Sequence, residues 1–331
     1  CDMIQNRSSQ KMISTAIADN PAAIKLRNCS WLNGTRDQLP SWVNVENVEL
    51  DQFFTRPEIA LRCWRSFCKY LTDSGADPSH YKFVEPSAGA GAFYDLLPKT
   101  RRIGIDVVKF RPDYIRTDFL SWTPTKNGHN YACIGNPPFG YRAWLALVFL
   151  NHAASFSDCV GFIVPMAFQS EGKGNPGDRV KGLHLVLSEN LPPESFVDTN
   201  GKIVKLNALW QIWSRFGDEE KRKPKTCDTF IDLFTVDMRK ERLCGQTRLK
   251  EADYFLQRTF YYDPPGLVTS FERVKYVCGY GIVIKRERNR VLQILGNTDW
   301  KKYSNLAMHN CRHISMCHIR KSLTDAGLVD D

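Results

Sequence analysis

The chain has 331 residues, of which 43% are hydrophobic and 12% aromatic, enough to bury a substantial core and to exclude wholesale disorder. It carries 45 Lys and Arg against 36 Asp and Glu, a net charge of +9. Residues 1–200 have 21 basic and 20 acidic side chains, whereas residues 201–331 have 24 and 16. We therefore expect an anion-binding region after residue 200, joined to a nearly neutral one.

The 11 cysteines are scattered from Cys1 to Cys317 without a Cys-x-x-Cys pair. A disulfide scaffold would be short and regularly spaced, so we expect reduced thiols and a cytoplasmic protein that is not secreted. No basic and then apolar leader opens the sequence, although a removed leader stays open because the first residue is not Met. The longest apolar run, around residues 143–149, is far below the roughly 18 residues that span a bilayer.

Residues 1–50 are polar, lack a clear periodicity and are predicted to form an irregular extension. A helix is predicted from Pro57, because apolar residues then recur every four positions: Ile59, Cys63, Phe67 and Leu71. Four apolar runs have the pattern of strands, at 82–85, 103–106, 131–134 and 159–164, and a helical pattern at 141–155 lies between the last two. Strands that alternate with helices predict an α/β fold with a mainly parallel sheet.

The pattern changes near residue 195. Residues 195–198, a turn at Asn200-Gly201 and the alternating stretch 203–213 predict a β-hairpin. The stretch 218–225 is highly charged and contains a proline. It is predicted to be a solvated loop, with a domain linker as the alternative.

The most informative motif is Asn136-Pro137-Pro138-Phe139, at the end of a predicted strand. Two prolines fix the backbone and remove two donors, so the turn is rigid. The Asn136 amide oxygen and the Pro137 carbonyl can then accept both hydrogens of a planar amine, and Phe139 can stack on the attached base. As a bare tetrapeptide, the motif fits a structural turn equally well.

The stretch from Phe83 to Gly91 runs from a predicted strand into a predicted helix, and its small residues let a ligand approach the backbone. It lacks the GxGxxG spacing and is weak evidence alone. Asp106 ends the next strand, about twenty residues after Glu85, where an acid accepts hydrogen bonds from ribose hydroxyls in doubly wound sheets. Asp118-Phe119 follows, at a place suited to an adenine ring. Any one acid alone is more often a solvated loop residue, but the ordered set indicates nucleoside binding.

In this order the motifs resemble those of S-adenosylmethionine-dependent amino-methyltransferases, most closely the gamma-class adenine-N6 DNA methyltransferases. The resemblance covers about residues 51–215 and implies a Rossmann-like class I methyltransferase fold, with a mainly parallel seven-stranded sheet and a C-terminal hairpin. Residues 53–59 occupy the place of the segment that folds over the methionine part of the cofactor. Here Arg56 separates Thr55 from Pro57, a departure from the usual Thr-Pro. Residues 206–213 are similar to the strand that borders the target pocket.

The resemblance implies S-adenosyl-L-methionine as cofactor, a catalytic turn formed by residues 136–139 (Asn136, Pro137, Pro138 and Phe139) and methylation of a flipped-out adenine. The implied cofactor-binding residues are Phe54, Thr55, Pro57, Glu85, Pro86, Ser87, Ala88, Gly89, Gly91, Asp106, Val107, Asp118, Phe119 and Asn136. Phe168 is a candidate for the opposite face of the flipped base, with core packing as its alternative. The implied domains are the extension 1–50, a catalytic domain 51–217 and a basic target-recognition region 218–331.

Residues 276–295 are predicted to form a hairpin whose turn carries Lys285, Arg286, Arg288 and Arg290, cations suited to phosphate contacts. A solvated hairpin tip accounts for the same residues. Double-stranded DNA is the expected partner, in a restriction–modification setting. The alternatives are methylation of RNA at adenine-N6 or guanine-N2, since similar turns serve those substrates, and an inactive nucleic-acid-binding module. Protein-glutamine methylation uses a related turn that usually ends in Tyr.

No metal is expected, because the implied chemistry needs none. His309, His313 and Cys317 are four residues apart and can share a helix face, near Cys311 and His318. The paired-cysteine spacing of a zinc site is nevertheless missing. Cys133 precedes the turn inside an apolar strand and is predicted to be a core residue, not a nucleophile.

Overall fold

A computed structural model describes residues 53–125, 128–140, 143–170, 175–217, 225–237, 247–273, 278–307 and 310–330. The predicted extension 1–50 and nearly all of the predicted loop 218–225 lie outside these residues. The described chain forms two units, one of residues 53–168 and 176–217, the other of residues 225–330 with 169, 170 and 175. No helix within the described ranges is long and apolar enough to cross a membrane.

The first unit is built on strands β1 (Phe54–Thr55), β2 (Tyr81–Glu85), β3 (Arg102–Asp106), β4 (Ile115–Arg116), β5 (Asn130–Gly135), β6 (Cys159–Pro165), β7 (His184–Asn190), β8 (Phe196–Val197), β9 (Ile203–Val204) and β10 (Ala208–Ser214). A seven-stranded sheet has the order β4-β3-β2-β5-β6-β10-β7. Pairs from β4 to β6 are parallel, whereas β10 is antiparallel to both β6 and β7. This is the Rossmann-like, mainly parallel sheet that the sequence predicts.

Helix α1 (Pro57–Asp73) buries the predicted stripe of Ile59, Cys63, Phe67 and Leu71, together with Ala60. Phe67 meets Trp210 of β10 edge to face, with ring centroids 6.4 Å apart. A Cβ on Gly161 of β6 would lie 2.6 Å from Trp210 and 2.7 Å from Phe67. The absence of a side chain at position 161 therefore lets these two rings pack directly on the sheet.

Helix α2 (Trp144–Ala154) connects β5 to β6, where the sequence predicts a helix at 141–155. Eight of its 11 residues are buried. A helix that is apolar on nearly every side must lie within the core. The Ala146 amide of this helix donates to the Phe139 carbonyl at 3.2 Å, which ties the helix to the predicted catalytic turn.

The predicted hairpin at 195–213 is wrong in its second half. β8 and β9 form a two-residue hairpin, and β8 also pairs with β1. The remaining residues form β10 in the large sheet, beside β7, which the sequence did not reveal. The alternation of apolar and polar residues was misleading here. Gln211 is completely buried and accepts a hydrogen bond from Trp213 Nε1 at 3.2 Å, so this polar residue does not face the solvent.

The helix expected after the glycine-rich stretch is also absent from the described residues. Only a single 3₁₀ turn, Tyr94–Leu96, lies between β2 and β3. Pro98 follows closely, and because proline disfavours helical geometry in the residue before it, the segment is too short for an α-helix. The loop must therefore be held by other contacts.

The second unit contains the antiparallel sheet β11-β14-β12, formed by β11 (Ile231–Asp237), β12 (Tyr254–Gln257) and β14 (Cys278–Ile284). A smaller sheet joins β13 (Thr259–Phe260), β15 (Asn305–Leu306) and β16 (Arg312–His313). Helices α3 (Arg288–Asn297) and α4 (Met316–Asp325) complete it. Its buried hydrophobic cluster, which runs from Cys227 to Leu328, is a core of its own.

The predicted hairpin at 276–295 is wrong as well. β14 leads directly into α3, and the predicted turn residues Arg288 and Arg290 lie in the first turn of that helix. Val291 and Leu295 are buried and four residues apart, which is the helical spacing. The charged residues that precede Val291 hid this helical spacing in the sequence.

Candidate functional site

A pocket lies at the edge of the large sheet where β2 and β5, neighbours in the strand order, both end. The chain leaves β2 toward β3 on one side and returns to β5 on the other, which makes this the switch point where doubly wound folds bind ligands. Fifteen predicted site residues line the pocket: Phe54, Thr55, Glu85, Pro86, Ser87, Ala88, Gly89, Asp106, Val107, Asp118, Phe119, Asn136, Pro137, Pro138 and Phe139.

Three predicted residues of the same unit do not line the pocket. Pro57 is exposed at the first turn of α1. Gly91 is buried behind the loop, against Arg111. Phe168 is only 2% exposed, in a 3₁₀ turn after β6. This burial fits the core-packing alternative for Phe168.

Sequence reasoning missed several lining residues, namely Phe53, Ala90, Ala92, Phe93, Val108, Phe110, Thr117, Leu145 and Phe149. Phe110 lies four residues after Asp106, and its ring is 6.1 Å from that of Phe54 in an edge-to-face contact. The signal in the sequence that could have identified the aromatic ones is their position close to a predicted motif. Together these rings make the pocket walls largely apolar.

Asp106 ties the glycine-rich loop to the end of β3. Its Oδ2 accepts a hydrogen bond from the Gly89 amide at 2.8 Å, and its Oδ1 accepts one from the Val108 amide at 2.9 Å. Gly89 has φ +46°, and a Cβ there would lie 3.3 Å from the Phe54 ring. Burial raises the pKa of Asp106 to about 6. Each carboxylate oxygen keeps a second lone pair for a ligand hydroxyl.

Glu85 and Asp118 each present a buried oxygen without a hydrogen-bond partner among the described residues, Oε2 and Oδ2 respectively. Asp118 uses Oδ1 to accept from the Leu120 amide at 2.9 Å, which caps a short 3₁₀ turn. Burial raises the pKa of Asp118 to about 6 and that of Glu85 well above its usual range. Because an unpaired buried polar atom is costly, these oxygens are suited to a polar ligand.

The Asn136 side chain has a defined orientation. Its Nδ2 donates to the carbonyl of Phe53 at 3.0 Å, and only the amide nitrogen can donate to a carbonyl. Its Oδ1 is buried and has no partner among the described residues. The Ser87 hydroxyl donates to the Asn136 backbone carbonyl at 3.0 Å. The predicted turn therefore presents a free, buried acceptor at the pocket.

The segment 53–55 is fixed from outside the pocket. Thr55 pairs with Phe196 in the β1–β8 ladder, and the Arg56 amide donates to the Ser195 carbonyl at 3.0 Å. The Arg56 guanidinium donates to the Glu194 carbonyl at 2.9 Å. Since the Phe53 carbonyl in turn orients Asn136, the segment expected to fold over the cofactor is bonded directly to the predicted catalytic turn.

Lys, Arg and His are absent from the described residues that line the pocket, whereas Glu85, Asp106 and Asp118 contribute three carboxyl groups. An anionic phosphate would meet no compensating charge there. The site is consequently suited to a neutral or cationic ligand with hydroxyl and amino groups.

The predicted phosphate-binding cations all belong to the second unit. Arg288 lies 2.5 Å from Asp253 and packs over the Tyr254 ring. Arg290 lies 3.2 Å from Glu287, and Lys285 donates to the Asp228 carbonyl at 2.9 Å. Arg286 is exposed. Three of the four cations are therefore engaged by their own unit, which the sequence did not show.

The described part of the chain contains no group of three His, Cys, Asp or Glu residues placed to hold a metal. His313 lies in β16 and Cys317 in α4, so the helix face that their spacing allowed does not form. His309 lies outside the described residues. Cys133 is fully buried in β5, as predicted.

No family model and no curated protein matches this sequence. Similar solved structures include a Pyrococcus horikoshii protein thought to be an RNA methyltransferase, at 17% identity and TM-score 0.35, which covers 50% of this chain and 88% of that one. A modification subunit of what is thought to be a type I restriction enzyme from Vibrio vulnificus YJ016 has 15% identity and TM-score 0.36, over 64% of this chain and 51% of that one.

A magnesium protoporphyrin IX methyltransferase from Synechocystis PCC 6803, solved with bound S-adenosylmethionine, is also similar. It has 11% identity and TM-score 0.31, over 61% of this chain and 97% of that one. Likeness at this level assigns neither a family nor a substrate to the chain.

Proposed function

We propose that the chain is an S-adenosylmethionine-dependent methyltransferase that modifies the N6 amino group of a flipped-out adenine in DNA. The observation that carries the proposal is the buried, unpartnered Oδ1 of Asn136, oriented by the Phe53 carbonyl beside the pocket. An unpartnered buried acceptor is uncommon in folded proteins, and a donor from a ligand would satisfy this one.

The pocket supports the cofactor part of the proposal. Asp106 and Asp118 both line it. In this proposal Asp106 would accept from ribose hydroxyls, and the unpartnered Oδ2 of Asp118 from the adenine amino group. Dinucleotides are held by phosphate contacts at a helix N-terminus, and the described loop leads only into a 3₁₀ turn. The three carboxyl groups among the otherwise largely apolar walls instead favour a nucleoside that carries a positive sulfonium centre.

The strand order gives further support. A seven-stranded sheet in which β10 lies between β6 and β7, antiparallel to both, has the arrangement of the class I methyltransferase fold. Within this arrangement residues 136–139 follow β5 and face the pocket. Both the cofactor loop and the turn are then at one edge of the sheet, as methyl transfer requires.

When bound, the cofactor supplies a methyl group on a positively charged sulfur. Asn136 Oδ1 and the Pro137 carbonyl would accept the two amino hydrogens of adenine, which concentrates electron density on nitrogen and orients it. Phe139, which is 4% exposed and lines the pocket, would stack on the base. Flipping a base from a duplex costs a few kcal/mol, and the stacking offsets part of this cost.

A transfer assay with three acceptors tests the substrate. The protein is incubated with methyl-labelled S-adenosylmethionine and unmethylated duplex DNA, structured RNA or a protein mixture. We expect label in DNA. Label in RNA alone supports the RNA alternative and contradicts DNA, whereas cofactor binding without any transfer supports an inactive binding module.

A further inference from the structure

The glycine-rich loop that lines the pocket is not continued by an α-helix. Its backbone is nevertheless ordered by hydrogen bonds: the Ala88 amide donates to the Ile105 carbonyl at 2.9 Å, and the Gly91 amide to the Ala88 carbonyl at 2.8 Å. A loop of small residues loses much conformational entropy when it is held in one form. Asp106 holds the loop at Gly89, so a further group is needed at the end of the loop, where a helix would begin in other doubly wound folds.

Arg111 contacts both the end of this loop and the turn that follows it. Its Nη2 donates to the Ala90 carbonyl at 2.8 Å. The same guanidinium binds the Asp95 carboxylate through both oxygens, at 2.5 and 2.8 Å. Bidentate pairs of this kind are geometrically specific. A single side chain from the segment between β3 and β4 thereby contacts both ends of the stretch 90–95.

Gly91 fits the same arrangement. It has φ +92°, and a Cβ at this position would overlap the Arg111 guanidinium. The sequence assigned Gly91 to the cofactor, but its place behind the loop leaves room for Arg111 instead. Arg111 is 19% exposed, whereas Asp95 is 55% exposed, so the guanidinium is the more enclosed partner.

The base of this contact is itself firmly packed. Tyr114 is 3% exposed and meets Tyr94 edge to face at 4.9 Å. Arg102 lies over the Tyr94 ring at 4.0 Å, and the Tyr94 hydroxyl donates to Asp113 at 3.0 Å. The residues that directly follow Arg111 are thus held in place, which is what a positioning side chain needs.

We propose that Arg111 is a positioning residue that holds residues 86–91 in the form that lines the pocket. Arg111 thereby supplies the anchoring that an α-helix would give at this place. The identity of the ligand rests on the proposed function, but the restraint on the loop does not. Arg111 is not among the residues that line the pocket and acts through the loop.

The test combines two measurements on the full chain. Hydrogen–deuterium exchange of peptides that cover residues 86–96 reports the loop without any ligand, and calorimetry with S-adenosylmethionine reports the consequence. Arg111→Ala should speed exchange of these amides at least tenfold, leave exchange of β6 unchanged, and weaken cofactor binding about tenfold or more. Arg111→Lys should lie between, because an ammonium cannot make the bidentate contact and reach Ala90 with the same geometry.

Arg62→Ala is the matched control, since Arg62 forms an exposed ion pair with Glu189 at 3.2 Å on the same unit. It should change neither measurement. If Arg111→Ala loses its fold, Arg111→Lys and Asp95→Asn supply the same comparison. Unchanged loop exchange and affinity in the Arg111 and Asp95 variants overturn the positioning role even if the wild type binds cofactor. Faster loop exchange in a protein that binds no S-adenosylmethionine supports the restraint and contradicts the proposed cofactor.

Discussion

The Asn136 amide is oriented by a carbonyl 83 positions earlier in the sequence, that of Phe53. The hydrogen bond determines which end of the amide faces the pocket, and it leaves Oδ1 buried and free. A sequence motif supplies the residue type, but it does not supply this partner. At the residue scale, the proposed chemistry therefore depends on a contact between two distant segments.

Asn136→Ala removes the free acceptor and is expected to lower the methyl-transfer rate at least a hundredfold, the scale of losing one oriented hydrogen-bonding group in an active site. Cofactor affinity should change only a few-fold, because Asp106 and Asp118 remain. Single-turnover transfer and calorimetry measure the two effects separately. Wild-type turnover in this variant would show that the turn has another role.

Cofactor binding should depend on pH through Asp106 and Asp118, whose pKa values burial raises to about 6. Acceptance of ligand hydrogen bonds favours the ionised carboxylates, so binding lowers these pKa values. Affinity should then rise between pH 5 and pH 7 and level off above, with at most about tenfold per pH unit for each group below its pKa. Calorimetry of wild type and Asp118→Asn measures this, and the variant should show the shallower rise. Equal affinity at pH 5 and pH 7 contradicts it.

Asp106 and Asp118 also affect folding stability, but this contribution falls as the pH rises, whereas cofactor affinity increases. An acid whose folded pKa is raised above its unfolded value of about 3.9 contributes most below that value. Its contribution then disappears as the pH rises through the folded pKa of about 6. Without ligand, Asp118→Asn should therefore flatten the fall in stability between pH 4 and pH 6. Urea denaturation at several pH values measures it, and an unaltered pH dependence in the variant counts against the burial of this charge.

At the scale of elements, α1 is held to the sheet by Phe67, which is completely buried against Trp210 and the bare backbone of Gly161. No residue of α1 lines the pocket, yet the helix begins directly after the segment 53–55, which does. Packing of this helix therefore contributes to the position of the pocket wall.

Phe67→Ala should reduce the free energy of unfolding by about 3–5 kcal/mol, the usual cost of deleting a buried aromatic ring. Lys69→Ala, on the exposed face of the same helix with a surface partner in Asp73, should cost less than about 0.5 kcal/mol. Denaturant titration of both variants tests this. A similar, small reduction for both would show that α1 is not packed as described.

The sequence predicted the elements whose burial is regular. β2, β3, β5 and β6 are short apolar runs, and α1 has one apolar stripe, so local periodicity was enough. The helix expected after the glycine-rich loop, the pairing of β10 and the helix α3 were predicted wrongly, because these features depend on Pro98, on a buried Gln211 and on charges that precede Val291. The same holds for the site. The motifs gave the types of many lining residues, but not the roles of Phe53, Phe110 and Arg111, which act through contacts between segments distant in sequence.

At the scale of the whole molecule, the charge is unevenly divided, with nearly all of the excess after residue 200. The structure shows which of those charges have partners. Arg288 and Arg290 have carboxylate partners, and exposed ion pairs of this kind contribute little to stability. They can still exchange those partners for phosphates, and Arg286 is exposed on the same segment.

Simultaneous replacement of Arg286, Arg288 and Arg290 by Ala should weaken DNA binding and reduce its salt dependence, by about one unit of slope for each phosphate that the variant no longer binds. Cofactor affinity should not change, because none of these residues lines the pocket. Fluorescence anisotropy at several salt concentrations measures this, with Lys69→Ala as the charge control. An unchanged salt slope would place the nucleic-acid contact elsewhere in the chain.

Methyl transfer to adenine N6 is the reaction proposed for the Asn136 turn. Its most direct test is to incubate wild type and Asn136→Ala with isotopically labelled S-adenosylmethionine and unmethylated duplex DNA, then digest the DNA and identify the nucleosides by mass spectrometry. We predict labelled N6-methyl-2′-deoxyadenosine from wild type and, as expected for the removal of one oriented hydrogen-bonding group, at least about a hundredfold less from the variant. Label on another nucleoside, or none on DNA despite bound cofactor, would contradict the account.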